Sequence, residues 1–91
     1  MTRKKLTKEE KELALLHSNV RTVLQSSQGK ELIWHILSLC GVYDNPIAGD
    51  ALQTGHNIGR QTIGKELIEL MVDADARAYI NLQLHFVNKT R

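Results

Sequence analysis

The apolar residues of this chain recur at helical spacing, and the pattern predicts four helices and no strands. The first predicted helix covers residues 7–25. Thr7 and Glu10 stand three positions apart at its start, as in a capping box, where each side chain accepts a hydrogen bond from the other residue's amide. A stripe of apolar residues follows the heptad spacing: Leu6, Leu13, Leu16, Val20 and Val23. Two heptads are too few to predict a coiled coil, so we expect the stripe to pack on a neighbouring helix.

The second predicted helix covers residues 26–41. Ser26 or Ser27 is expected to cap its start, and Gly41 stands where a left-handed residue commonly ends a helix. Apolar residues cover most of its circumference, which is typical of a central helix. Trp34 falls on the side opposite Ile36, so we expect the indole either to close an edge of the core or to contact a partner.

A loop is predicted over residues 42–50. Pro46 disfavours helix at the residue before it, and Asp50 is a suitable cap for a following helix. That third helix is predicted to run from Ala51 to Val72, which makes it the longest of the four.

The fourth helix is predicted over residues 74–87, with either Asp73 or Asp75 as its cap. No internal repeat or low-complexity segment interrupts the chain. Together the elements predict one all-α domain over residues 1–91, an array of about four helices with a flexible basic segment at residues 1–6.

Three glycines lie in the predicted third helix, where each costs about 1 kcal/mol relative to alanine. Gly55 and Gly59 are one turn apart, on the face that also carries Leu52 and Ile63. Missing side chains there would leave a trough into which a neighbouring helix could pack more closely than usual. Gly64 lies to the flank of this face and is expected to accommodate a second neighbour. The glycines therefore predict close helix packing at all three positions.

Arg60 lies beside the predicted trough. One hypothesis is that its guanidinium reaches a carboxylate or the C-terminal carbonyls of a neighbouring helix and so fixes the crossing of the two helices. The alternative is an exposed arginine that binds a phosphate or an acidic partner. The position beside the trough favours the structural role.

Composition limits the function classes. A chain of 91 residues with 42% hydrophobic and 24% charged residues is typical of one globular domain, but its core is small and its stability would gain from a partner. The net charge of +2 is too low to imply nucleic-acid binding. Cys40 is the single cysteine, which excludes an internal disulfide. Neither a membrane span nor a signal peptide is apparent, so we expect a cytosolic protein.

The sequence shows no signature of catalysis. The four histidines fall on four different predicted helices, and none has a second metal ligand one turn away. The segment 55–59 lacks both the preceding strand and the glycine spacing of a phosphate-binding loop. We therefore expect no enzyme activity, no metal and no cofactor.

A small DNA-binding or packaging accessory protein is the alternative function. The third helix carries Asn57, Arg60, Gln61 and Lys65, which could contact DNA, although a long connection precedes it and Glu66 and Glu69 would face phosphates unfavourably. The residues proposed for phosphate contact in this alternative are Lys4, Lys5, Lys8, Arg60 and Lys89.

Two passages, SSQGKELIWHILSLCGVYDNP and HNIGRQTIGKELIELMVDADARAYINL, resemble the Bbp-nineteen-like phage domain, a family of small proteins of tailed bacteriophages. The matching positions are Gly29; Cys40, Gly41, Val42 and Tyr43; Gly59, Arg60, Ile63 and Gly64; and Asp75, Ala78 and Tyr79. The resemblance covers roughly residues 20–84. Gln61 departs from the family pattern, in which a second arginine is common, and this departure weakens the idea of a paired basic grip on phosphate.

The resemblance implies a phage protein without a known activity. With a marginal core and an apolar first helix, we expect a non-catalytic virion-associated or assembly protein that docks on other phage structural proteins or on a second copy of itself. The expected docking residues are Trp34, the leucine stripe of the first helix or the basic ends. We expect it in the host cytoplasm during assembly or in the virion, and not at a membrane.

Overall fold

The structure is a computed structural model that describes residues 6–89, with the backbone alone at Lys89. It contains helices α1 (Lys8–Val23), α2 (Ser27–Leu39), α3 (Ala51–Ala74) and α4 (Ala78–Lys89), and no strand within the described residues. The predicted all-α fold of four helices is confirmed. Most of the segment predicted to be flexible, residues 1–5, lies outside the described residues.

Local capping chemistry fixes the helix starts. The amide of Glu10 donates to Thr7 Oγ1 at 3.1 Å and the amide of Thr7 donates to Glu10 Oε1 at 3.4 Å, so the predicted capping box is present. Ser26 accepts from the amide of Gly29 at 2.9 Å, and Asp50 accepts from the amide of Gln53 at 2.7 Å. These caps satisfy amides that have no partner inside their own helix.

The end of α2 agrees with the sequence prediction, whereas the end of α3 differs from it. Gly41 has a φ of 63°, the left-handed conformation predicted for the residue after α2. Asp75, however, has extended backbone and ends α3, and its carboxylate accepts from the amide of Arg77 at 3.0 Å. The fourth helix begins only at Ala78. The predicted cap at Asp73 is therefore wrong, because that residue still lies inside α3.

Helix α3 is the centre of the fold, since it contacts each of the other three helices. The buried core combines Leu24, Leu37, Met71, Ala78 and Leu82, which come from three of the helices and from the residue that follows α1. The prediction of α2 as the central helix is wrong. Apolar residues do surround α2, but only one side of it meets α3 and α4, and Leu32 and Leu39 face solvent.

An arginine fastens the end of α3 to the end of α1. Arg21 Nη1 donates to the carbonyl oxygen of Ala74 at 2.8 Å. That oxygen belongs to the last turn of α3, where carbonyls lack partners within the helix and the helix dipole favours a cation. The bond therefore holds the C-terminal ends of α1 and α3 together.

The predicted trough at Gly55 and Gly59 is not filled by this chain. A Cβ at either position would find no atom within 4 Å. Leu52 and Ile63 on the same face are 87% and 61% exposed. The prediction of close packing at these two glycines is wrong, because α2 and the loop after it approach α3 on the opposite side of the helix.

Gly64 lies on that opposite side and is buried. A Cβ there would collide with Val42 Cγ2 and would lie 2.9 Å from Cys40 Cβ. Close packing therefore occurs at one of the three glycines, where the side chains of Cys40 and Val42, at the end of α2 and just after it, lie against α3.

Candidate docking surface

An aromatic groove opens between α2, α4 and the loop after α2. Trp34 stacks on Phe86 with ring centroids 4.8 Å apart and an interplanar angle of 13°. Tyr43 lies 5.8 Å from the indole at a tilt of 35°. Gln83 and Val87 of α4 complete the lining of a space of about 360 Å³. We call these five residues the aromatic groove.

Trp34 has one side toward the core and one side toward the groove. The indole is partly buried and packs against the core cluster, as does Phe86. The sequence left two roles open for Trp34, the edge of a core or a contact with a partner, and the structure places it at the edge of the core. Its groove side leaves room for an apolar side chain from another molecule.

A hydroxyl pair stands at one edge of this surface. Tyr43 and Tyr79 hydrogen-bond to each other through their hydroxyl groups. Desolvation by burial, followed by the hydrogen bond with Tyr43, raises the pKa of Tyr79 to about 12. The phenol of Tyr79 therefore stays protonated at physiological pH and adds no charge beside the groove.

The loop that carries Tyr43 is held by three polar residues on one face of α3, which we call the polar clamp: Thr54, Asn57 and Gln61. Thr54 Oγ1 accepts from the amide of Ala48 at 2.8 Å, and Asn57 Nδ2 donates to the carbonyl of Pro46 at 3.1 Å. These bonds satisfy loop groups that face α3.

Gln61 makes the innermost contacts of the polar clamp. It is 8% exposed, and its Nε2 donates to the carbonyl oxygens of Gly41 at 2.7 Å and of Asp44 at 2.6 Å. The two N–H bonds of this one amide group therefore bind carbonyl oxygens that lie before and after Tyr43 in the chain. Gln61 thereby fixes the backbone that positions Tyr43 in the groove.

Arg60 fastens the end of α2. Its Nη1 donates to the carbonyl oxygen of Leu39 at 3.1 Å, and its Nη2 donates to Asn57 Oδ1 at 3.1 Å. This geometry matches the structural hypothesis, in which the guanidinium binds C-terminal carbonyls of a neighbouring helix. Arg60 therefore donates to a carbonyl oxygen at the C-terminal end of α2, just as Arg21 does at the C-terminal end of α3.

The family follows from the sequence of this same region. A family model described as Bbp19-like phage protein matches residues 20–83, well over half of the chain. The chain belongs to the Bbp19-like phage protein family. Neither the search of curated proteins nor the search of solved structures found a match. The resemblance inferred from the sequence is confirmed, and the protein is a phage protein.

Within this Bbp19-like protein, the family match contains Trp34, Tyr43, Gly64 and the whole polar clamp, but most of α1 lies outside it. Three of the five groove residues therefore lie within the match, whereas Phe86 and Val87 lie beyond it. Because most of α1 also lies outside the match, its role has to be argued from its own residues.

The residues proposed for phosphate contact are not gathered in one described site. Lys8 lies in the first turn of α1, whereas Arg60 lies in α3 and donates to two acceptors of its own chain. The side chains of Lys4, Lys5 and Lys89 lie outside the described part of the structure.

Sequence reasoning missed the two features that build this surface. The sequence presents Gln61 as a possible DNA contact and as a departure from the family pattern. Thr54, Asn57 and Gln61 share one helical face, however, and this is the signal that indicates a buried polar contact. No local sequence pattern pairs Phe86 with Trp34. That pairing depends on how α2 and α4 cross.

Among residues 6–89, no group of three or more histidine, cysteine, aspartate or glutamate side chains is arranged to hold a metal ion. No helix in the same part of the chain is both long and apolar enough to cross a membrane.

Proposed function

We propose that this Bbp19-like protein is a non-catalytic component of the tailed-phage particle or of its assembly, and that it docks on another phage structural protein through the aromatic groove. The family supports the phage context. The single observation that carries the docking role is the groove lined by Trp34 stacked on Phe86, with Tyr43 beside it.

The chemistry of the groove suits an apolar side chain of a protein partner. Tryptophan and tyrosine supply large contact areas at low entropic cost, and they are enriched among the residues that dominate binding energy at interfaces. An aliphatic or aromatic side chain of the partner would displace water from the ring faces. Tyr43 and Gln83 at the rim could then hydrogen-bond to the partner's backbone.

The polar clamp and the two hydrogen bonds donated by Arg60 make the groove rigid before any partner binds. Gln61 and Arg60 fix the backbone on either side of Cys40, so Tyr43 needs little ordering on binding. A preorganised site loses less conformational entropy when it binds. We place the activity in the host cytoplasm during assembly or in the finished virion.

Val87→Glu tests the docking role. Val87 lines the groove and is 48% exposed, so a carboxylate there should leave the fold intact and oppose entry of an apolar side chain. In phage carrying this variant we expect the copy number of the protein in purified particles, or in assembly intermediates from infected cells, to fall at least tenfold, as quantified by mass spectrometry.

The matched control for that experiment is Val72→Glu. Val72 is 42% exposed and lies on α3, outside the groove. The control should keep the wild-type copy number. Equal copy numbers for wild type and Val87→Glu would contradict the role of the groove. A wild-type protein that cross-links to no phage structural protein would contradict the docking function.

A separate measurement addresses the DNA-binding alternative. Because Arg60 is engaged inside the chain, we expect no fluorescence-anisotropy signal with duplex DNA at about 150 mM salt. A submicromolar dissociation constant that weakens steeply between about 50 and 200 mM salt would favour the alternative instead.

A further inference from the structure

The molecule exposes far more surface than its mass requires. A compact monomer of 10.3 kDa exposes about 5,400 Å². This chain exposes 7090 Å² and measures 60 × 36 × 17 Å. Among residues 6–89, six apolar residues are buried whereas sixteen large ones are exposed. The excess of roughly 1,700 Å² lies within the range that each copy buries in an obligate homodimer.

Helix α1 carries the most regular part of this exposed surface. It has no buried residue, although Val20 near its end touches the core. Leu13, Leu16 and Val23 stay exposed along one stripe, and Leu6, just before the helix, is exposed as well. An isolated helix of this length is marginal in water, so a helix with so little burial is expected to gain stability from a further contact.

An apolar slot of about 180 Å³ continues the stripe into the body of the protein, between α1, α2 and α3. Leu16, Val20 and Val23 form one wall, and Ile33 and Met71 stand on the other side. A volume of this size accommodates one or two aliphatic side chains and is too apolar to hold ordered water well. The slot therefore matches protruding leucines and not a polar ligand.

We propose that α1 pairs with α1 of a second copy in an antiparallel, two-fold symmetric dimer. In antiparallel pairing at heptad spacing, Leu13 of one copy stands opposite Leu16 of the other. A two-fold axis near the centre of α1 repeats this contact. Leu13 of each copy then reaches the slot of its partner, and the start of α1 lies beside Val23 of the other copy.

The helix dipoles favour the antiparallel orientation, and the excess of exposed surface favours a second copy as the occupant. Glu9 and Glu10 lie in the first turn of α1, and Arg21 lies in its last turn. Lys8 and Lys11 balance these two carboxylates, so the first turn carries no net charge. Antiparallel pairing opposes the two helix dipoles, whereas parallel pairing would align them. The stripe is complementary to itself, which a two-fold interface requires.

Light scattering coupled to size-exclusion chromatography of the full chain tests this inference. We expect a mass of about twice 10.3 kDa at micromolar concentrations, unchanged in 500 mM salt because the contact is apolar. Leu13→Glu should weaken dimerisation about 100-fold or more, because symmetry introduces the carboxylate twice. Leu13 is half-exposed, so the helical circular dichroism should persist.

Leu52→Glu on the exposed face of α3 is the matched control and should remain dimeric. Orientation is tested in a Cys40→Ala background. Cysteines introduced together at positions 13 and 16 should cross-link two copies, whereas a single cysteine at position 6 should not. A wild-type monomer at 100 µM, or a dimer that survives Leu13→Glu, would overturn the inference. Efficient cross-linking at position 6 would overturn the antiparallel arrangement.

Discussion

Gln61→Glu should remove most of the stability of the domain at neutral pH. The change keeps the shape of the side chain but replaces its only donor group with a carboxylate. That carboxylate would face the carbonyl oxygens of Gly41 and Asp44, which lie 2.7 and 2.6 Å from Nε2 of Gln61 in the wild-type protein. A buried charge without a partner costs about 3–5 kcal/mol. The entire free energy of unfolding of a 91-residue domain is about 5–14 kcal/mol.

The pH dependence of that loss has a definite sign. Burial and the two carbonyls disfavour the charged form, so the pKa of the introduced carboxyl in the folded state lies above its ordinary value. The folded variant then binds a proton more tightly than the unfolded chain does, and protonation stabilises it. The difference in the free energy of unfolding between variant and wild type should be largest at about pH 7. It should become smaller as pH falls, because a protonated carboxyl can donate one hydrogen bond.

Urea unfolding followed by circular dichroism at about pH 7 and about pH 5 measures both effects, with Gln28→Glu as the control. Gln28 is exposed and lies in the first turn of α2, where a carboxylate interacts favourably with the helix dipole. The control should stay within about 0.5 kcal/mol of wild type. Equal losses in the two variants, or a Gln61→Glu deficit that grows as pH falls, would contradict the donor role of Gln61.

The parts of the fold that could be predicted from sequence are those decided by neighbours in the chain. Thr7 and Glu10 find each other because they are three residues apart, and Gly41 adopts a left-handed conformation because the helix must end there. Ser26 and Asp50 likewise bind amides within their own first turns. None of these interactions depends on how the helices pack.

The parts that could not be predicted depend on which face of a helix meets its neighbour. Gly55, Gly59 and Gly64 look alike in sequence, yet only Gly64 meets another segment. The apolar circumference of α2 suggested a central helix, whereas α3 occupies the centre with a polar stripe toward the loop. Burial depends on helix placement, which helical periodicity alone does not specify.

The aromatic groove shows the same limit at the candidate site. The position of Trp34 on α2 predicted either a core edge or a contact with a partner, and its stacking on Phe86 joins residues fifty-two positions apart. The proposed α1 pairing shows the converse. The heptad stripe predicted a contact for α1, and the structure leaves most of that stripe exposed, so the contact it implies has to come from outside the chain.

Alanine at Gly64 should destabilise the domain, whereas alanine at Gly59 should stabilise it, although both residues lie in α3. Either change gains up to about 1 kcal/mol of helix propensity. At Gly64 the new methyl group collides with Val42 Cγ2 and lies 2.9 Å from Cys40 Cβ. Overpacking of this kind costs about 1–3 kcal/mol. At Gly59 the methyl group meets no atom within 4 Å.

Neither neighbour of Gly64 can move cheaply. Val42 is β-branched and holds its rotamer, and Cys40 Cβ is attached directly to the backbone that ends α2. That backbone is held by Gln61 and Arg60, so relief of the clash would require the two clamping contacts to shift together. The midpoint temperatures of thermal unfolding of the two variants should therefore shift in opposite directions from that of the wild type, by about 4–8 °C per kcal/mol. A Gly64→Ala variant as stable as Gly59→Ala would mean that the loop is not held against α3, and the groove built on Tyr43 would lose its rigid support.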